Sequence, residues 1–131
     1  MGSGRILVVE DDIDISKMLR IYFDSQGYEV LVATRGNEAL DVCRTKLPNV
    51  IVLDINLPDI DGYEVCRVLR NNTRTSYVPI IFLTQRDERS DKIAGLELGA
   101  DDYITKPFDI EELKLRVEGT IRRSLREALT H

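Results

Sequence analysis

The sequence is poor in the residues that hold soft metals or build disulfide frameworks. One histidine, His131, and two cysteines occur among its 131 residues. Cys43 and Cys66 lie in helical patterns without a motif spacing, which favours reduced thiols at core or boundary positions over a disulfide framework. Because no His or Cys cluster is present, the sequence argues against a site for soft metals.

Long apolar runs and an excess of positive charge are also missing. No apolar segment approaches the roughly 18 residues of a membrane span, and the first residues lack a charged n-region and a long h-region. We therefore expect a cytoplasmic protein with no membrane contact. A net charge of −5 argues against direct nucleic-acid binding, which needs a concentrated basic footprint. The basic residues of the last helix alternate with acidic ones, which favours a solvated face over a basic patch.

The composition is that of one globular domain. Hydrophobic residues make up 43% of the chain, and no internal repeat, low-complexity tract or linker suggests a second domain. We predict one domain over residues 5–127, a tail over residues 128–131, and a cloning remnant over residues 1–4.

Five short apolar runs alternate with amphipathic stretches, which predicts strands alternating with helices. The predicted strands are Arg5 to Glu10, Tyr28 to Ala33, Val50 to Asp54, Pro79 to Thr84 and Asp102 to Thr105. The first and third runs are continuously apolar rather than alternating, as expected for strands buried on both faces. A parallel sheet covered by helices on both faces is therefore predicted.

Ligands of doubly wound sheets bind outside the carboxyl ends of the strands. The polar residues at or just after these ends are Glu10, Asp11, Asp12, Asp54, Thr84 and Lys106. Carboxylates from adjacent strand ends would repel one another strongly, so a cation is expected among Glu10, Asp11 and Asp54. Oxygen ligands favour a hard divalent ion, Mg²⁺, with Mn²⁺ as a substitute. Taken alone, residues 10–12 also fit an N-cap and a charged first helical turn, and Asp12 is interpreted as that cap.

A carboxylate can act as a nucleophile toward phosphoryl groups and form an aspartyl-phosphate. Asp54 is the candidate, because it ends a buried strand within the acidic group. Phosphoryl transfer also needs a fixed cation and a donor aimed at the phosphoryl oxygens. Lys106 and Thr84 supply one of each.

Four segments in this order and spacing resemble the response-regulator receiver (CheY-like) family of two-component signalling. They are Ile6 to Asp12, Leu53 to Gly62, Phe82 to Thr84 and Gly99 to Phe108. The resemblance implies a flavodoxin-like (βα)5 fold, a doubly wound parallel sheet with strand order 2-1-3-4-5. The run from Leu96 to Arg116 is most similar to the winged-helix (OmpR/PhoB-like) transcription-factor branch.

The resemblance also implies roles for the metal site. Asp54 corresponds to the phosphoacceptor and Asp11 to a direct metal ligand. Glu10 would act through a metal-bound water, and the backbone carbonyl of Asn56 would complete the protein's share of the metal shell.

Further roles implied by the resemblance concern the switch. Thr84 corresponds to the hydroxyl that turns toward the phosphoryl group, Lys106 to the neutralising cation, and Tyr103 to the aromatic that moves inward behind Thr84. The Lys106-Pro107 bond resembles the family's cis peptide. The positions that tune rates of transfer and hydrolysis are Asn56, Gln85 and Arg86.

By the same resemblance, a homodimer would form through helix 4, strand 5 and helix 5. Its charged pairs would be Lys92 with Glu112 and Asp102 with Arg116. Further members of this face are Leu96, Asp101 and Arg123.

The leading hypothesis is a signalling switch that accepts a phosphoryl group from a sensor histidine kinase onto Asp54. It catalyses its own phosphotransfer and slow autodephosphorylation, and it controls a partner or an output domain, such as a DNA-binding domain beyond this sequence. The alternative is a pseudo-receiver, an interaction domain with the same fold and no phosphorylation.

Overall fold

The structure is a computed structural model that describes residues 3–130. Its strands are β1 (Arg5–Val9), β2 (Glu29–Ala33), β3 (Val50–Leu53), β4 (Ile80–Thr84) and β5 (Asp102–Thr105). Its helices are α1 (Ile13–Ser25), α2 (Gly36–Thr45), α3 (Gly62–Arg70), α4 (Arg89–Glu97) and α5 (Ile110–Thr130). Residues 1, 2 and 131, which belong to the predicted remnant and tail, lie outside the described residues. None of the described helices is long and apolar enough to cross a bilayer.

The five strands form one parallel sheet in the order β2-β1-β3-β4-β5, which confirms the predicted topology. All residues of β3 and β4 are buried. Alternate side chains of these strands join two core clusters on opposite faces of the sheet. One cluster contains residues of α2 and α3, and the other contains residues of α1 and α5. The continuously apolar runs therefore correspond to strands covered on both faces.

The strand order reverses between β1 and β3. The chain places β2 beside one edge of β1 and then crosses to place β3 beside its other edge. Just beyond these strands the main chain continues the ladder. The Asp54 N–H donates to the Val9 carbonyl at 3.0 Å, and the Glu10 N–H donates to the Ala33 carbonyl at 2.9 Å. These bonds bring the acidic ends of β1 and β3 side by side at the position where doubly wound sheets bind ligands.

Helix α4 packs on the sheet through a glycine rather than through its apolar side chains. The spacing of Ile93 and Leu96 correctly indicates a helix, but these side chains remain 43% and 51% exposed. Gly95 is the buried residue of α4. A Cβ on Gly95 would lie 3.1 Å from the Phe82 ring, so this turn approaches β4 closely. Ile93 and Leu96 consequently face away from the core.

The two cysteines are free and buried, Cys43 in α2 and Cys66 in α3. Burial raises the pKa of the Cys43 thiol to about 11 and also raises that of Cys66. Because the thiolate is the reactive form, both side chains behave as small core residues.

Helix α3 begins in direct contact with the end of β3. The Gly62 N–H donates to the Ile55 carbonyl at 2.8 Å, and the Asp61 carboxylate caps the helix by accepting from the Glu64 N–H. A Cβ on Gly62 would lie only 2.3 Å from the Asp54 carbonyl oxygen. The first turn of α3 therefore supports the main chain of Asp54 from behind.

The Gly62→Ala substitution should lower the free energy of unfolding by about 1–3 kcal/mol, because the clashing atoms are backbone atoms that cannot move aside easily. Urea denaturation measures this change. Gly119→Ala in α5 is the matched control, since its Cβ would meet only Arg122 Nη2 at 3.8 Å. That variant should gain roughly 0.5–1 kcal/mol from helix propensity. Equal effects of the two substitutions would contradict the close approach at Gly62.

Candidate functional site

Three carboxylates converge at the carboxyl edge of the sheet. Glu10 and Asp11 directly follow β1, and Asp54 directly follows β3. One carboxylate oxygen from each of the three residues lies within 4.8 Å of the others. Glu10 and Asp54 are only 2% and 6% exposed, whereas Asp11 is exposed. The structure thus brings together the three acidic residues that the sequence predicted as neighbours.

Lys106 lies between the two buried carboxylates. Its Nζ donates to Asp54 Oδ2 at 2.8 Å and also to Glu10 Oε1. The main chain positions it, because the Lys106 N–H donates to the Thr84 carbonyl at the end of β4. The Lys106-Pro107 peptide bond is cis. Burial opposes the charged form of the lysine, but the hydrogen bonds to Asp54 and Glu10 outweigh it and raise the pKa of Lys106.

One lysine does not neutralise the whole cluster. Burial raises the pKa of the Glu10 carboxyl to about 7, although Lys106 and the Asp12 N–H, which donates to Glu10 Oε2 at 3.2 Å, act in the opposite direction. Burial therefore disfavours the ionised form of Glu10 more than Lys106 and the Asp12 N–H stabilise it. A donor set made only of carboxylate oxygens fits a hard divalent ion such as Mg²⁺.

Asp12 does not belong to the acidic cluster. Its Oδ1 accepts from the Asp14 N–H at 3.0 Å and from the Ile15 N–H at 3.1 Å. This geometry is that of an N-cap at the start of α1, which confirms the interpretation of Asp12 as a cap.

Arg86, in the β4–α4 loop, is linked to Asp54 through Asn56. Its Nε donates to Asn56 Oδ1 at 2.9 Å, and the Asn56 N–H donates to Asp54 Oδ1 at 3.2 Å. Thr84 is fully buried, and its Oγ1 accepts from the Arg86 N–H at 3.4 Å. The side chains at positions 56 and 86 therefore contact each other. Gln85, the third predicted tuning residue, is exposed.

Tyr103 is joined to the same loop. Its hydroxyl donates to the Arg86 carbonyl at 2.7 Å, and its ring packs at a tilt on the Phe82 ring with centroids 5.8 Å apart. Burial raises the pKa of the Tyr103 phenol. Thr84 and Tyr103 are thus connected through a single residue, Arg86.

Several charged residues of the predicted dimer face have partners within one chain. Arg116 pairs with Asp102 at 2.8 Å and with Glu112 at 3.2 Å. Asp101 pairs with Arg70, and Arg123 donates to the Thr120 hydroxyl. Lys92 and Leu96 lie on α4, the former predicted to pair with Glu112 of a second copy. The dimer stays a prediction.

Two neighbours of Arg86 were missed by the sequence reasoning. The Tyr63 hydroxyl donates to the Asp91 carbonyl at 2.9 Å, and the Arg86 guanidinium lies over the Tyr63 ring, 5.9 Å from its centroid. Asp91 also faces Arg86 at 3.8 Å. The one available signal is that Tyr63 follows the glycine that starts α3. A tyrosine at a helix start carries no indication of its distant partners.

These features define a class of protein: a doubly wound α/β domain with an acidic site and a buried lysine at the switch point of its sheet. Residues 6–118 match the response regulator receiver domain, and the chain belongs to that family. Membership implies a role in phosphorylation-dependent signalling.

The individual relatives are transcriptional regulators. The chain is 48% identical over 120 residues to the alkaline phosphatase synthesis transcriptional regulatory protein PhoP of Bacillus subtilis (strain 168), covering 92% of this chain and 49% of that protein. It is 43% identical over 126 residues to the phosphate regulon transcriptional regulatory protein PhoB of Rhizobium meliloti (strain 1021), covering 96% of this chain and 56% of that protein. The chain thus spans about half the length of these curated relatives.

A solved structure has the same fold. The BeF3-activated N-terminal receiver domain of Klebsiella pneumoniae RstA superposes with a TM-score of 0.83 at 35% identity, covering 90% of this chain and 98% of that chain.

The Lys106→Met substitution should lower the free energy of unfolding by about 3 kcal/mol at pH 8 in the presence of a chelator, because it leaves two buried carboxylates facing each other without a cation. Urea denaturation checks this value. Lys17→Met, at an exposed position of α1, serves as the control and should stay within about 0.5 kcal/mol of the unmodified protein. A loss no larger than the control's would show that Lys106 does not neutralise the cluster.

Proposed function

We propose that this domain is a phosphorylation-controlled switch in which Asp54 accepts a phosphoryl group from the phosphohistidine of a sensor histidine kinase. The observation that carries the proposal is the position of the Asp54 carboxylate, which is buried, bonded to Lys106 and adjacent to Glu10 and Asp11. Glu10, Asp11 and Asp54 would hold Mg²⁺, or Mn²⁺ in its place, with the Asn56 carbonyl as a further ligand. A bound divalent ion supplies positive charge to the transferring phosphoryl oxygens.

In the proposed transfer, a carboxylate oxygen of Asp54 attacks phosphorus, and an acyl-phosphate bond forms as the phosphorus–nitrogen bond to histidine breaks. The imidazole nitrogen keeps the bonding electron pair and takes up a proton from solvent. Lys106 remains charged and stabilises the phosphoryl oxygens electrostatically. The Thr84 hydroxyl would donate to one of these oxygens once it leaves the Arg86 N–H.

The proposed response spreads through Arg86, which contacts both Thr84 and Tyr103. Movement in this loop would alter the surface of α4, β5 and α5, where Ile93, Leu96 and Leu115 are 43%, 51% and 64% exposed. Exposed apolar side chains on these elements favour an interaction surface. We propose this face as the contact for a second copy or for an output domain.

The partners of the whole protein follow from the same proposal. The two curated relatives above are named as transcriptional regulators and are about twice as long. A DNA-binding output domain is therefore the proposed continuation, and the single domain over residues 5–127 would act as its regulatory part in the cytoplasm. The alternative, a pseudo-receiver without phosphorylation, would leave the acidic cluster without a chemical role.

Incubation with acetyl phosphate and Mg²⁺ should add one phosphoryl group to the protein, observed as a mass increase by intact-protein mass spectrometry. Asp54→Asn should abolish the addition, because the amide is not a nucleophile toward phosphorus. Asp41→Asn, at an exposed position of α2, is the matched control and should label fully. Phosphoramidate, whose P–N bond imitates phosphohistidine, should serve as a donor as well.

Absence of labelling in the unmodified protein would support the pseudo-receiver instead. Undiminished labelling of Asp54→Asn would refute the acceptor assignment.

Replacing Asp11 should weaken Mg²⁺ binding. Isothermal titration calorimetry of Asp11→Asn should show an affinity at least roughly tenfold lower than that of the unmodified protein, because a carboxylate ligand has been neutralised. Asp14→Asn, also in the β1–α1 region but bonded through its main chain to the Asp12 cap, should bind Mg²⁺ normally. Equal affinities for both variants would exclude Asp11 as a ligand.

A further inference from the structure

The Tyr103 ring lies in a socket made by α3, β4, α4 and the β4–α4 loop. We define the socket by the residues Tyr63, Phe82, Arg86, Asp91 and Gly95. The roles considered so far include Arg86 as a tuning residue, but they leave Tyr63 and Gly95 without a function.

The wall of the socket is held by Tyr63. Its hydroxyl donates to the Asp91 carbonyl at 2.9 Å and lies 3.4 Å from Asp91 Oδ1, which ties the first turn of α4 to the start of α3. Its ring packs edge-on against Phe82 with centroids 5.7 Å apart. The Arg86 guanidinium lies over the Tyr63 ring, 5.9 Å from its centroid, in the geometry of a cation–π contact.

The floor of the socket is the main chain of α4 at Gly95. A Cβ there would lie 3.1 Å from the Phe82 ring and 3.2 Å from Tyr103 Cδ2. Both distances are tighter than ordinary van der Waals contact. The position of the Tyr103 ring therefore depends on residue 95 being a glycine.

The mouth of the socket is the Arg86 carbonyl, which accepts from the Tyr103 hydroxyl at 2.7 Å. The same residue reaches the acceptor side through its guanidinium, which bonds to Asn56 and faces Asp91. Tyr63 contacts both the guanidinium and the helix turn beside it. Burial and the neighbouring Tyr63 together raise the pKa of Tyr103, so the neutral phenol is favoured as the donor to the Arg86 carbonyl.

We infer that Tyr63 is a positioning residue that holds the Tyr103 ring in this socket, and that Gly95 leaves the space the ring occupies. Tyr63 fixes the start of α4 and the Arg86 loop at once, so the Arg86 carbonyl stays within reach of the Tyr103 hydroxyl. The consequence that phosphorylation moves Tyr103 rests on the proposed function, whereas the position of the ring in the socket does not.

The test uses the full chain labelled with 3-fluorotyrosine, whose ¹⁹F NMR spectrum should contain one resonance for each of the five tyrosines. Tyr103→Phe assigns the Tyr103 resonance. Its shift difference between H₂O and D₂O reports exposure of the ring, and the Tyr77 resonance gives the exposed reference, since Tyr77 is 65% exposed.

In Tyr63→Phe, the lost hydrogen bond to Asp91 should move the equilibrium of the Tyr103 ring toward the exposed position by a factor of roughly five, the usual worth of one net hydrogen bond. The solvent shift of Tyr103 should rise toward that of Tyr77. Gly95→Ala should produce the same direction of change by direct contact. Tyr77→Phe is the matched control and should leave the Tyr103 resonance where it is.

A Tyr103 resonance that is unchanged in natively folded Tyr63→Phe overturns the inference, even if Gly95→Ala shifts it. If Gly95→Ala does not fold by circular dichroism, Tyr63→Phe alone decides. Acetyl-phosphate labelling of the same samples separates this question from the proposed function. Labelling that persists while the ring stays in place refutes only the positioning role, and a ring that moves without any labelling refutes only the phosphorylation.

Discussion

Repulsion among the carboxylates of Glu10, Asp11 and Asp54 is the constraint on which the rest of the site depends. Two of these groups are buried at adjacent strand ends, where Coulomb interactions are stronger than in water. The ammonium group of Lys106 neutralises part of that charge by bonding to both buried carboxylates. Lys106 therefore compensates only part of the negative charge that the three carboxylates can carry at this edge of the sheet.

The doubly wound sheet explains how so much charge can be concentrated without disrupting the core. Reversal of strand order between β1 and β3 leaves a crevice at their carboxyl ends, while both faces of the sheet remain apolar. The ladder bonds of Asp54 and Glu10 continue the strands by one residue. The acidic groups therefore sit directly at the ends of hydrogen-bonded, buried strands, as a preorganised site requires, whereas Arg86 lies on the β4–α4 loop.

Most of the fold and the composition of the acidic cluster could be predicted from local patterns. Strand bounds follow from short apolar runs to within one residue, and the clustering of Glu10, Asp11 and Asp54 follows from a general rule about strand ends. Packing that depends on a glycine, where a side chain would clash, could not be predicted. Gly95 turns the apolar residues of α4 outward, which no helical period reveals. The contacts of Lys106 with Glu10 and of Tyr63 with Asp91 join distant parts of the chain, and their residue types occur just as often in solvated positions.

The close approach of Gly62 to the Asp54 carbonyl limits how the main chain at the site can move. Helix α3 fills the space behind the main chain of Asp54. The end of β3 therefore cannot shift toward α3. The carboxylate itself accepts from the Asn56 N–H through Oδ1, and the Asn56 side chain in turn accepts from Arg86. The main chain at this edge of the sheet is thus braced by α3, and any adjustment at the site falls to side chains rather than to the strand.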